Sequence, residues 1–115
     1  MRSPCLLVAT GLPVSVVSVR RTEEFARWLR GLRDLRAKAF IQARIERFIC
    51  GNPGDVRPVG AGVSELRIHY GPGYRLYFVR RGRVLVIMLN AGDKSSQKRD
   101  IQRALKFAAD IGEAL

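Results

Sequence analysis

A chain of 115 residues, 47% hydrophobic and 27% charged, has the size and composition of one globular domain and can bury roughly two-thirds of its unfolded surface. No run approaches the ~20 apolar residues of a membrane span, which excludes an integral helical membrane protein. The 21 Lys and Arg against 10 Asp and Glu leave a net charge of +11, which favours a polyanionic partner: nucleic acid first, an acidic membrane or acidic protein second.

Residues 1–13 hold the apolar stretch Cys5-Leu6-Leu7-Val8-Ala9, shorter than the core and cleavage site of a secretory leader require. They read as a non-essential extension, disordered or translated from an upstream start, ahead of a domain over 14–115. Val14-Ser15-Val16-Val17-Ser18-Val19 is β-branched and bounded by Pro13 and Arg20-Arg21, which predicts a strand. Thr22 then suits a helix N-cap, Glu23 and Glu24 complement the helix dipole, and Phe25, Trp28, Leu29 and Leu32 share one face. Gly31 and Asp34 mark a break. A second helix follows, with Ala37, Phe40, Ile41, Ile45, Phe48 and Ile49 opposite Lys38, Arg44 and Arg47. The two helices are expected to form a hairpin.

Gly51-Asn52-Pro53-Gly54-Asp55 stops that helix, and a glycine-rich loop is expected through Gly60 and Gly62. From Ser64 the period falls to two. Leu66, Ile68 and Tyr70 alternate with Glu65, Arg67 and His69, then, past Gly71-Pro72-Gly73, Leu76 and Phe78 alternate with Arg75, Tyr77 and Val79. That predicts an antiparallel hairpin. A turn at Arg81-Gly82 leads into Val84-Leu85-Val86-Ile87-Met88-Leu89, apolar on both faces and so interior to the sheet. Ser96 opens a last helix whose stripe is Ile101, Ala104, Leu105, Ala108 and Ile111. Segregated elements of this kind give an α+β fold, with helices on one face of a mainly antiparallel sheet.

If Leu66, Ile68, Leu76 and Phe78 face the helices, then Arg67, His69, Arg75 and Tyr77 converge on the other, open face. Arginines clamp phosphates in a bidentate fashion and a tyrosine can stack on a base, which suits RNA; a solvated sheet face is the alternative. Cleavage of RNA needs a base for the 2′-hydroxyl, charge stabilisation at phosphorus and an acid for the leaving oxygen. Arg67 and Arg75 fit the second role. The base is open between His69, whose imidazole titrates nearest neutrality, and a lysine crowded by arginines, Lys94 or Lys98. The cluster Asp93-Lys94-Ser95-Ser96-Gln97-Lys98-Arg99-Asp100 reads either as a capped loop or as a phosphate site at a helix start. Cys5 and Cys50 form no CxxC pair, and with one histidine in the chain no zinc quartet is plausible. Both cysteines read as free thiols of a reducing cytoplasm, and no metal or cofactor is expected.

Three blocks carry a family resemblance: Pro58-Val59-Gly60-Ala61-Gly62-Val63-Ser64-Glu65-Leu66-Arg67-Ile68, then Tyr70-Gly71-Pro72-Gly73-Tyr74-Arg75-Leu76-Tyr77-Phe78, then Gly92 to Ile101. Together with Thr22-Glu23-Glu24-Phe25 and Trp28-Leu29, they resemble the addiction-module killer proteins of the RelE/ParE superfamily, related to HigB-type toxins, over Val14 to Asp110. The resemblance implies a RelE-like, microbial-ribonuclease-type α+β fold with an N-terminal helical hairpin and a C-terminal helix. It also implies a toxin that cuts mRNA without a metal, on the ribosome in many relatives. The implied partner is a cognate antitoxin, a small helix-turn-helix protein through which operator DNA is bound. Arg75 matches the arginine that related toxins set against the scissile phosphate and Arg67 a basic position in the preceding strand; Lys94 is the third catalytic candidate. His69, Tyr77, Lys98 and Arg99 are the RNA-binding candidates. No tyrosine stands near the C-terminus, where RNA-cleaving relatives place an acid or base. That departure leaves two alternatives: inhibition of DNA gyrase, as in ParE-type relatives, and a non-catalytic nucleic-acid-binding regulator.

Overall fold

The computed structural model describes residues 17–82 and 85–112. Five strands, β1 (Ser18–Arg21), β2 (Val56–Gly60), β3 (Val63–Ile68), β4 (Tyr74–Arg81) and β5 (Leu85–Asp93), form one sheet in the order β1-β5-β4-β3-β2. Three helices accompany it: α1 (Glu23–Gly31), α2 (Leu35–Ile49) and α3 (Gln97–Ile111), the last entered through a 3-10 turn at Lys94–Ser96. All strand pairs are antiparallel except β1 with β5. The α+β class and the interior place of the β5 apolar run follow the sequence expectation. None of the described helices is long and apolar enough to cross a membrane.

The helices cover both faces of the sheet, not one. Phe25 and Leu29 of α1 and Ala37, Ile41, Ile45 and Phe48 of α2 pack on Leu66, Ile68, Leu76, Phe78, Val86 and Met88. Ala104 and Ala108 of α3 close the opposite face over Val63, Tyr77, Val79, Ile87 and Leu89. The reason lies in β4 and β5, which carry apolar side chains on both sides; leaving either side in water would forfeit roughly 2 kcal/mol for each large side chain. A register shift between Tyr77 and Phe78 marks a bulge, beyond which Leu89 and Asn90 both serve the α3 side. The Asn90 side-chain amide donates to the Asp100 carbonyl at 3.0 Å and ties α3 to the sheet.

Other boundaries moved. The expected loop before Ser64 is in fact edge strand β2, which tolerates Pro58 because an edge residue need not donate to a neighbour. The strand reaches no further than Ile68, so Tyr70 leaves the alternation, and Arg20-Arg21 lie inside β1 instead of bounding it. The Val14–Val16 part of the first strand, Val84 and residues 1–13 fall outside the described residues. Cys50 is disulfide-bonded, which overturns the free thiol expected there; bridging depends on approach in the fold, which the spacing of cysteines does not reveal. Cys5 lies outside the described residues.

Both early helices start on side chains the sequence pointed to. Asp34 accepts from the Arg36 and Ala37 amides at 3.0 and 3.1 Å, and the Tyr70 hydroxyl donates to its other oxygen at 2.9 Å. Thr22 Oγ1 accepts from the Phe25 amide at 3.1 Å and donates to the Leu89 carbonyl at 2.5 Å, so one hydroxyl caps α1 and pins it to β5 at the bulge. Thr22→Ala is expected to cost about 1.5 kcal/mol, roughly 6 °C in Tm, with Thr22→Ser recovering most of it, as read by thermal denaturation.

Candidate functional site

The β3–β4 register sets Glu65 opposite Tyr77 and Arg67 opposite Arg75. Alternation along the strands turns these side chains to the α3 side, and there they meet on one carboxylate. Glu65, 1% exposed, accepts from Arg67 Nε at 2.9 Å and Arg75 at 3.3 Å on Oε1, and from the Tyr77 hydroxyl at 3.3 Å and the Gln97 amide at 2.8 Å on Oε2. A carboxylate out of water is costly unless paired and hydrogen-bonded; four donors, two of them cationic, meet that condition. Two guanidiniums against one carboxylate leave the cluster with one net positive charge. The Arg67 and Arg75 side chains keep 23% and 11% exposure. Arg75 gives Glu65 one of a guanidinium's five donors, and its Nε is buried without a hydrogen-bond partner.

Sequence reasoning missed Glu65 and Gln97. The signal for Glu65 was present, since alternation places it on the face of Arg67 and Tyr77; an acid amid basic candidates reads as a solvated residue until its burial is known. Gln97 sits in another block, and only the packing of α3 brings it over β3.

Tyr77 is fully buried under α3 and cannot stack on a base, which corrects that expectation. Burial, with the Glu65 charge beside it, holds its phenol well above the usual range, so it serves as a neutral donor. His69 is not brought to the arginines' carboxylate. It follows the end of β3, bonds Asp55 through Nε2 at 2.7 Å and lines a groove with α2 residues. Its hydrogen bond is the main cause that keeps the Asp55 carboxyl below the ordinary carboxylate range. Lys94 is exposed in the 3-10 turn beside Gly73, next to the start of β4. Lys98 and Arg99 are exposed in the first turn of α3 and line an open cleft with Ser95, Ser96 and Gln102.

The polar block before α3 is built as a lock. Asp93 caps the 3-10 turn by accepting from the Ser95 amide at 2.9 Å, and Ser96 Oγ donates to the Asp100 carboxylate. Asp100, 3% exposed, fills the space where a side chain on residue 92 would stand, so only glycine fits there. Gly92 therefore lets α3 start hard against β5, and that start sets Gln97 over Glu65.

Glu65→Gln keeps the shape and removes the charge, leaving two partly buried guanidiniums without a counter-ion. Urea denaturation should show a loss of about 3 kcal/mol, against less than about 0.5 kcal/mol for Lys98→Ala on the exposed face of α3.

The model of the Gp49-like phage-derived proteins (DUF891) matches residues 27–109, a span that contains Glu65, Arg67, Arg75 and the whole lock. An uncharacterised protein of Haemophilus influenzae is 47% identical over 96 residues, covering 84% of this chain and 97% of that protein. On these matches the chain belongs to the Gp49-like family of phage-derived proteins.

Proposed function

We propose that the chain is the toxin of a type II toxin–antitoxin pair, of RelE-like fold with α1 and α2 as its helical hairpin, and that it cuts mRNA in the cytoplasm without a metal. Support comes from the toxin-like character of the Gp49-like family, which is RelE-related, and from one observation above all: two arginines held by a buried carboxylate beside a basic helix start. In this reading the 2′-oxygen of RNA attacks the adjacent phosphorus while the bond to the 5′-oxygen breaks, leaving a cyclic phosphate and a free 5′-hydroxyl. Arg75 stabilises the charge that develops on the non-bridging oxygens, with Arg67 beside it. Glu65 fixes both guanidiniums before substrate arrives, so little reorganisation opposes the reaction. Lys94 and Lys98 are the candidates for proton transfer, since His69 is engaged by Asp55. Lys98 and Arg99 hold the flanking phosphates. A small helix-turn-helix antitoxin is the proposed neutralising partner and carries any contact with operator DNA.

Induction of the wild-type chain should arrest growth and produce new mRNA 5′ ends by primer extension. In the Arg75→Ala variant, with its fold checked by circular dichroism, cleavage should drop by about 100-fold or more. Arrest with intact transcripts would overturn the nuclease assignment in favour of gyrase, and absence of arrest would overturn the toxin assignment. For binding, Lys98→Ala with Arg99→Ala should reduce the magnitude of the slope of log K against log salt for single-stranded RNA by about 1.4, with the fold unchanged.

A further inference from the structure

Helix α2 presents a second stripe that the core does not use. Ala37, Ile41, Ile45 and Phe48 are buried, whereas Arg36, Phe40, Ala43 and Arg47, spaced i, i+4, i+7 and i+11, are all exposed. Such spacing puts them on one line along the helix, about 16 Å from first to last. Phe40 keeps 44% exposure and rests on the Tyr70 ring, centroids 4.9 Å apart. Beside the stripe runs a groove whose other wall is Ile68, His69 and Tyr70. Apolar surface thus occupies the middle and an arginine stands at either end. Neither Arg36 nor Arg47 makes an ion pair among the described residues.

We infer that this stripe docks an acidic amphipathic helix of a partner protein, with carboxylates about eleven residues apart that meet Arg36 and Arg47 and apolar side chains between them over Phe40 and Ala43. Charge and chemistry select that occupant. A second copy would bring a net +11 against +11 and arginine against arginine. Single-stranded RNA needs cations along the whole path of its phosphates, and between Arg36 and Arg47 the groove offers one, Arg44, which is already engaged. Arg44 there is spent on the Arg67 and Pro53 carbonyls at 2.7 and 3.0 Å, and His69 is held by the Asp55 carboxylate. A helix laid along a helix instead buries Phe40, Ala43 and Ile68 and satisfies both arginines, the helix-in-groove mode of recognition. If the chain is a toxin, the helix belongs to its neutralising partner; the surface itself does not depend on that reading.

The probe is a synthetic 18-residue helical peptide with two Glu eleven positions apart and Leu at the intervening positions on the same face, titrated by fluorescence anisotropy at about 150 mM salt. Saturable binding is expected to the full chain. It should fall at least about tenfold in Phe40→Ser and further in the double variant Arg36→Glu with Arg47→Glu, and a peptide with Lys in place of both Glu should regain binding to that double variant. Phe40→Ser should still arrest growth wherever the wild type does, which separates this surface from the arginine cluster. No saturable binding up to about 1 mM peptide would overturn the inference. So would binding indifferent to Phe40→Ser, which would be charge attraction alone, or protection of α2 amides from hydrogen exchange by single-stranded RNA and not by the peptide.

Discussion

One buried carboxylate organises the chemistry-bearing half of this protein. Glu65 lies in the middle of β3, inaccessible to water, and its oxygens collect donors from the same strand, the next strand and the last helix. Without it, Arg67 and Arg75 would sit opposite one another on adjacent strands as two like charges, which is destabilising on a sheet surface. With it, the pair becomes a fixed, singly positive unit, walled by the Tyr77 phenol and the Gln97 amide. Fixed cations at low exposure are what a transition state rich in negative charge requires, because their orientation is set by folding.

That arrangement makes the position of α3 a condition for the site. The helix contributes Gln97 directly, and it shields Glu65 and Tyr77 by lying over them. Its start is set by a chain of contacts: Gly92 yields space to Asp100, Ser96 bonds Asp100, Asp93 caps the turn, and Asn90 holds the Asp100 carbonyl. Each link is short-range, and their sum is a helix whose first turn is indexed against β5. The bulge at Leu89 serves the same end from the sheet side, since it turns Asn90 toward α3 and leaves the Leu89 carbonyl for Thr22.

Much of the fold was legible because the sequence punctuates it. Thr22 is a cap with a mechanism, Gly31 and Asp34 mark the break between the first two helices, Gly71-Pro72-Gly73 separates two alternating runs, and the uninterrupted apolar run of β5 announces a strand covered on both sides. The same run carried the correction to the layer order, because a strand apolar on both faces requires cover on both. Edge strand β2 stayed hidden because Pro58 and Gly60 speak against a strand anywhere but at an edge, and edge position is a property of the assembled sheet. At the site, alternation correctly grouped Arg67, Arg75 and Tyr77. It could not show that α3 seals that face, that Tyr77 is inside, or that the strand ends before His69. Those depend on where a helix some twenty residues further along comes to rest.

The net charge takes on a more definite meaning once its distribution is known. The acids of the described residues are largely committed: Glu23 and Glu24 to neighbouring arginines, Asp34 and Asp93 to helix starts, Asp55 to His69, Asp100 to the α3 lock and Glu65 to the arginine cluster. Carboxylates spent on holding the fold do little to neutralise the rest of the surface. Two pairs of the surplus cations are set in distinct surroundings, Lys98 and Arg99 on the first turn of α3 beside a polar cleft and Arg36 and Arg47 on α2 at the ends of an apolar strip. A uniform excess would attract any polyanion equally. In the proposed reading the polar cleft takes a phosphate chain and the apolar groove a protein helix, so that each binds without competing for the same side chains.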